Sequence, residues 1–91
     1  MTIQDTIKQQ VEGHPVVLYM KGSPQMPQCG FSATATKILQ AVGAGDVFTV
    51  DVLQDADIRD GIKQYANWPT IPQLYVNGEF VGGCDIMKEM Y

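Results

Sequence analysis

The residues with the most chemistry in reach lie in Met20–Ser32, MKGSPQMPQCGFS. Cys29 stands where a loop rich in Pro and Gly gives way to a helical pattern. A cysteine at a helix N-terminus meets unpaired N–H groups and the positive end of the helix dipole, and both favour thiolate over thiol. Lys21, at the start of the loop, adds a full positive charge. A thiolate of this kind attacks disulfides or binds a thiophilic metal. The second and last cysteine is Cys84, in Gly82-Gly83-Cys84-Asp85. Two cysteines cannot build a four-cysteine metal site in one chain. His14, the only histidine, sits in the turn sequence Gly13-His14-Pro15 with no partner at zinc-like spacing.

The chain has 91 residues, room for one small domain spanning 1–91, and is 45% apolar and 18% charged, the balance of a globular protein. The formal charge is −4 with no basic block, which excludes nucleic acid as the main partner. No window approaches the ~20 continuous apolar residues of a membrane span. The N-terminal MTIQDTIKQQ has neither a basic n-region nor an apolar core, so no secretory signal is visible. Two cysteines are few for a small secreted scaffold, which points to a reducing, cytoplasmic setting.

Those residues need positioning. Thr2 and Asp5 form a capping-box pattern ahead of a helix with Ile3, Ile7 and Val11 on one face, ended by Gly13 and Pro15. Val16–Met20 is an apolar run without alternation, a strand covered on both faces. Gly22, Pro24 and Pro27 keep residues 21–28 out of regular structure. A helix follows from Gly30 to Val42, with Phe31, Ala35, Ile38, Leu39 and Val42 as its core stripe. Val47–Val52 alternates and is β-branched, a strand. Asp55 caps a helix running to Tyr65, with Ile58, Ile62 and Tyr65 on one face. Gln73–Val76 and Glu79–Val81 flank Asn77-Gly78, a hairpin with a type I′ turn. Asp85 caps a last helix through Ile86, Met87 and Met90. Only six residues follow Asp85, so the natural C-terminal part of this helix is expected to be missing. The order α, β-α-β, α, β-β-α gives an α/β fold: one mixed four-stranded sheet with helices on both faces.

Three loops then fall at strand ends or helix starts: Lys21–Cys29, Trp68–Pro72 and Gly82–Asp85. Gly82-Gly83 either lets backbone approach a ligand or is a plain turn. Pro72 must stand at a strand's start. A cis bond there would turn the Ile71 N–H and C=O outward, towards an extended peptide-like ligand. Taken alone, Arg59 reads as a solvated charge, Asp85 as a helix cap and Cys84 as an inert buried thiol.

Lys21-Gly22, Cys29-Gly30-Phe31-Ser32, Trp68-Pro69-Thr70-Ile71-Pro72 and Gly82-Gly83-Cys84-Asp85 together resemble the monothiol glutaredoxins, in the short single-domain bacterial form. The likeness spans about Ile3 to Tyr91. It implies the thioredoxin fold, with Cys29 as active thiolate and iron ligand. Lys21, helped by Arg59, would pair with the glycyl carboxylate of glutathione. Ile71 would bond the cysteinyl part through its backbone, ahead of a cis Pro72. Cys84 and Asp85 would hold the γ-glutamyl end, and Trp68 would pack beside the site. The family's longer last helix is a departure here.

Ser32 occupies the place of a resolving cysteine, and a hydroxyl forms no disulfide. Cys84 could resolve only if the fold brings it near Cys29. A [2Fe–2S] cluster needs four thiolates, which two protomers and two glutathiones supply. The resemblance points to such a homodimer in iron–sulfur cluster assembly, storage or transfer, with BolA-type proteins and iron–sulfur apoproteins as partners. The alternative is a glutathione-dependent thiol–disulfide oxidoreductase that deglutathionylates proteins by a monothiol route. Ser23–Pro27, longer than a minimal strand-to-helix connection, is expected to separate the two by placing glutathione for metal rather than for turnover.

Overall fold

The computed structural model describes residues 2–43 and 45–90. Helix α1 is Ile3–Gly13, followed by strand β1 at Val16–Met20 and helix α2 at Gly30–Ala41. Strand β2 is Phe48–Asp51 and helix α3 is Ala56–Ala66. The hairpin β3, Gln73–Val76, and β4, Glu79–Gly82, leads into α4, Cys84–Met90. The sheet order is β2-β1-β3-β4, with β1 parallel to β2 and antiparallel to β3. This is the expected mixed four-stranded α/β sheet, with the thioredoxin fold. Among the described residues no helix is long and apolar enough to cross a membrane.

Two apolar layers follow from the strand alternation. Val17, Tyr19 and Tyr75 face Ile7, Val11, Ile58 and Ile62 of α1 and α3. Leu18, Met20 and Leu74 face Ala35, Ile38, Leu39 and Met87 of α2 and α4. Val17 to Met20 are thus all fully buried, as a central strand without alternation should be. Thr2 and Asp5 form the capping box, and Asp55 caps α3 by accepting from the N–H groups of Asp57 and Ile58. Asn77 and Gly78 both have positive φ, the geometry a type I′ turn demands.

Three expectations are corrected in detail. Phe31 and Val42 are not core residues: the stripe of α2 reduces to Ala35, Ile38 and Leu39, while Phe31 is 61% exposed and Val42 45% exposed. Val42 lies beyond the end of α2, and Phe31, in its first turn, is turned out of the core. Residues 21–28 form no helix or strand, as expected, but the loop is tied to itself: Gly22 makes an isolated bridge with Pro27, Gln28 N–H bonds Lys21 O, and Ser23 and Met26 exchange backbone bonds. Strand β2 ends at Asp51 instead of Val52, because the chain turns there with Gln54 N–H on Asp51 O. Asp85 is not a cap. The last helix begins at Cys84, with Met87 N–H on Gly83 O, so Asp85 lies in its first turn.

The cap of α3 is exposed and separate from the site, so Asp55→Ala should cost about 0.5–2 kcal/mol of stability. Urea denaturation reads this as a lower midpoint with an unchanged slope.

Candidate functional site

One cleft of about 620 Å³ gathers the ends of β1, α2, α3, β3 and α4. Lys21, Cys29, Ile71, Pro72, Cys84 and Asp85 all line it. Arg59 does not. It is an exposed residue of α3, and the cation on the wall is Lys63, one helical turn further on. A second hollow, of about 380 Å³, lies between α2 and β2 beside Leu18, Leu39 and Thr49 and has no ionisable lining residue.

Cys29 is the N-cap residue of α2, in extended conformation and half-buried. The neutral thiol caps no N–H by hydrogen bonding. As a thiolate it is favoured first by the Ser32 backbone N–H, against the opposing effect of desolvation. The Phe31 N–H, the Lys21 ammonium and the Ser32 hydroxyl add to the same effect. Its pKa is lowered in consequence. The helix start outweighs the lysine, although the sequence suggested both.

Lys21 is held through its backbone. Its N–H donates to Ser32 Oγ at 3.1 Å and its carbonyl accepts from Gln28 N–H at 2.9 Å. Ser32 is fully buried. In place of a second thiol it therefore supplies a hydroxyl that ties the end of β1 to the first turn of α2. Next along, Gly22 N–H donates to Asp51 Oδ1 at 2.9 Å, which also accepts from Leu53 N–H. Gly22 has φ +90°, and a Cβ there would lie 2.5 Å from Met26 O. Only glycine lets this loop fold back under Cys29.

The opposite wall is Trp68–Pro72. The Ile71–Pro72 bond is cis. Ile71 is buried, and among the described residues its N–H and C=O enter no backbone pairing. A buried peptide unit of this kind wants a partner, and an extended ligand in the cleft can supply one. Trp68, 41% exposed, leans on Phe80 with ring centroids 5.7 Å apart. At Gly83 an added Cβ would sit 3.4 Å from both Pro72 O and Trp68 Nε1, so the start of α4 is drawn close against this wall. Cys84 is buried and Asp85 exposed at that helix start, where first-turn N–H groups lack helical acceptors.

Lys63 and Asp51 were missed from sequence, and Phe31, read there as a core residue, lines the cleft instead. Lys63 was within reach: it lies in the last turn of α3, beside the loop that carries Trp68, and its carbonyl accepts the Trp68 N–H. Among the described residues no three His, Cys, Asp or Glu side chains gather as a metal site.

Comparison with known proteins agrees with this fold. The glutaredoxin family model matches residues 16–81. Glutaredoxin 4 of Escherichia coli K12 is 54% identical over 90 residues, covering 99% of this chain and 77% of the relative. An uncharacterized monothiol glutaredoxin (ycf64-like) of Synechocystis is 59% identical over 85 residues, 93% of this chain and 78% of the relative. The solution structure of reduced poplar apo GrxS14 superposes with a TM-score of 0.82 at 46% identity, covering 98% of this chain and 81% of that one.

Alkylation of Cys29 by iodoacetamide should titrate with a midpoint below the ordinary thiol value, since only the thiolate reacts and the folded protein favours it. Lowering the pH through that midpoint should slow the reaction. Lys21→Gln should raise the midpoint without restoring the ordinary value, because the Ser32 N–H remains. An ordinary midpoint in the unsubstituted protein would contradict the helix-start assignment.

Proposed function

The chain belongs to the glutaredoxin family, and from that premise we propose that it is a monothiol glutaredoxin that binds glutathione and carries a [2Fe–2S] cluster as cargo. The observation that supports this best is the convergence of one half-buried thiol of lowered pKa with the Trp68–Pro72 wall in a single cleft. Glutathione is an extended tripeptide with a carboxylate at each end, and the cleft's residues fit it. Lys21 meets the glycyl carboxylate, and Lys63 stands where a second cation would share it. Arg59, one turn away on the same helix, is the weaker candidate. The Ile71 N–H and C=O pair with the cysteinyl backbone, ahead of Pro72. The free N–H groups of Cys84 and Asp85, with the Asp85 carboxylate, take the γ-glutamyl end.

A [2Fe–2S] cluster takes four thiolates. Cys29 is the one thiol at the mouth of the cleft, so the other ligands come from outside the chain: the Cys29 of a second copy and two glutathione thiolates. Such a cluster bridges a homodimer and is held by few protein bonds, which suits transfer to iron–sulfur apoproteins or exchange with BolA-type proteins. The self-bonded loop of residues 21–28, pinned by Asp51 and Ser32, holds Cys29 and Lys21 in fixed relation for this sharing.

The lowered Cys29 pKa also favours a second reading, deglutathionylation. The Cys29 thiolate attacks the glutathione sulfur of a protein mixed disulfide and releases the protein thiolate. A second glutathione thiolate then attacks that sulfur, leaving as glutathione disulfide and returning Cys29 as thiolate.

Anaerobic reconstitution with iron and sulfide separates the two. The carrier predicts visible absorbance and dimerisation that require glutathione, abolished by Cys29→Ser and largely kept by Cys84→Ser. A colourless monomer with brisk turnover of a mixed disulfide would favour the enzyme. For glutathione binding by calorimetry, Lys21→Ala and Lys63→Ala should each weaken affinity by about two- to tenfold, and Arg59→Ala by less. The reverse order for Lys63 and Arg59 would return the second cation to Arg59.

A further inference from the structure

The connection between α3 and β3 carries the wall of the cleft, yet it is not a strand and has no ladder to hold it. One side chain supplies its hydrogen bonds to the sheet instead. Gln73, the first residue of β3, is 0% exposed. Its Nε2 donates to Trp68 O at 3.1 Å and to Thr70 O at 3.2 Å. Its Oε1 accepts from the Tyr75 hydroxyl at 2.9 Å. A primary amide has two N–H donors, and both point at carbonyls of this one loop. The orientation is forced, since a turned amide would set its oxygen against two carbonyl oxygens. A buried amide is costly unless bonded, and an aliphatic residue would fill a sheet position more simply. The hydrogen bonds therefore account for the glutamine.

We infer that Gln73 is a positioning residue for the cleft. Its buried amide fixes the Trp68–Thr70 wall against the sheet and so sets the opening in which an extended, thiol-bearing peptide lies beside Ile71. The identity of that peptide rests on the glutathione assignment above; the hold on the wall rests on geometry alone. Neither Trp68 nor Thr70 is buried; beside the Trp68–Phe80 ring contact and the buried Ile71 side chain, this amide ties the loop's carbonyls to the sheet.

Gln73→Glu makes the hold depend on pH. A protonated carboxyl keeps one donor for the loop, and an ionised one has none. Burial raises the pKa of such a carboxyl, so the wall is held in mild acid and released as the pH rises. Trp68 is the only tryptophan, and acrylamide quenching of its fluorescence reads the wall directly. Relative to the unsubstituted protein, quenching of Gln73→Glu should rise with pH. Glutathione affinity by calorimetry should fall in parallel by about tenfold, the loss of one to two hydrogen bonds. Gln73→Glu tracking the unsubstituted protein in both readouts would overturn the inference, and so would a loosened wall with unchanged affinity.

Tyr75→Phe removes the partner of Oε1 and leaves both donors in place. It should keep quenching and affinity near the starting values even if stability falls. A loss equal to that of Gln73→Glu would assign the effect to general core damage and overturn the inference. If Gln73→Glu does not fold, Gln73→Met gives the comparison at one pH: more quenching, about tenfold weaker binding and an unchanged Cys29 alkylation midpoint. Absence of glutathione binding in the unsubstituted protein would contradict the function proposed above, while Trp68 quenching would still decide the part played by Gln73.

Discussion

The first N–H groups of α2 have no carbonyl to bond, and the chain sets a sulfur in front of them. Much of the structure follows from that arrangement. A helix start stabilises an anion there only while water and partner molecules can still reach it. The sulfur must therefore stand at the rim of the sheet, at the carboxyl end of β1, where ligands of open α/β sheets are bound. Cys29 occupies this place, half-buried, with the Ser32 N–H as the strongest influence on its ionisation.

Rigid support around a reachable sulfur calls for buried polar contacts close to it. Ser32 Oγ holds the Lys21 N–H, Asp51 Oδ1 holds the Gly22 N–H, and Gln73 holds the loop carbonyls across the cleft. Each tie joins a loop to a regular element. The site is thus assembled from loops, yet its parts are fixed with the precision of the sheet and helices beneath. The apolar layers on the two faces of the sheet make this possible, because they bury β1 and β3 except for Val16 and Val76 and leave their ends as a stable platform.

Much of this was legible in the residues. The unbroken apolar run Val16–Met20, the Asn77-Gly78 turn and the Thr2 and Asp55 caps each have a local physical cause, and each stands where that cause put it. That Cys29, Ile71, Pro72, Cys84 and Asp85 would meet in one cleft was legible because they sit at chain features that sequence shows directly. What was not legible depends on distance in space. Phe31 fits the apolar period of α2 and yet lines the cleft instead of the core, because periodicity gives a face and not where the core ends. Arg59 and Lys63 differ by one turn, and only the fold says which faces the cleft. Gln73 looks like an ordinary strand residue until the loop beside it is seen to need donors.

The central claim is that one protein thiolate shares a metal cluster with a borrowed tripeptide thiol. Native mass spectrometry of the anaerobically reconstituted protein weighs the assembly itself. A species of two chains, two iron and two sulfide ions and two glutathiones would carry the four thiolates that the cluster takes. A cluster-loaded monomer, or a loaded dimer lacking glutathione, would contradict it.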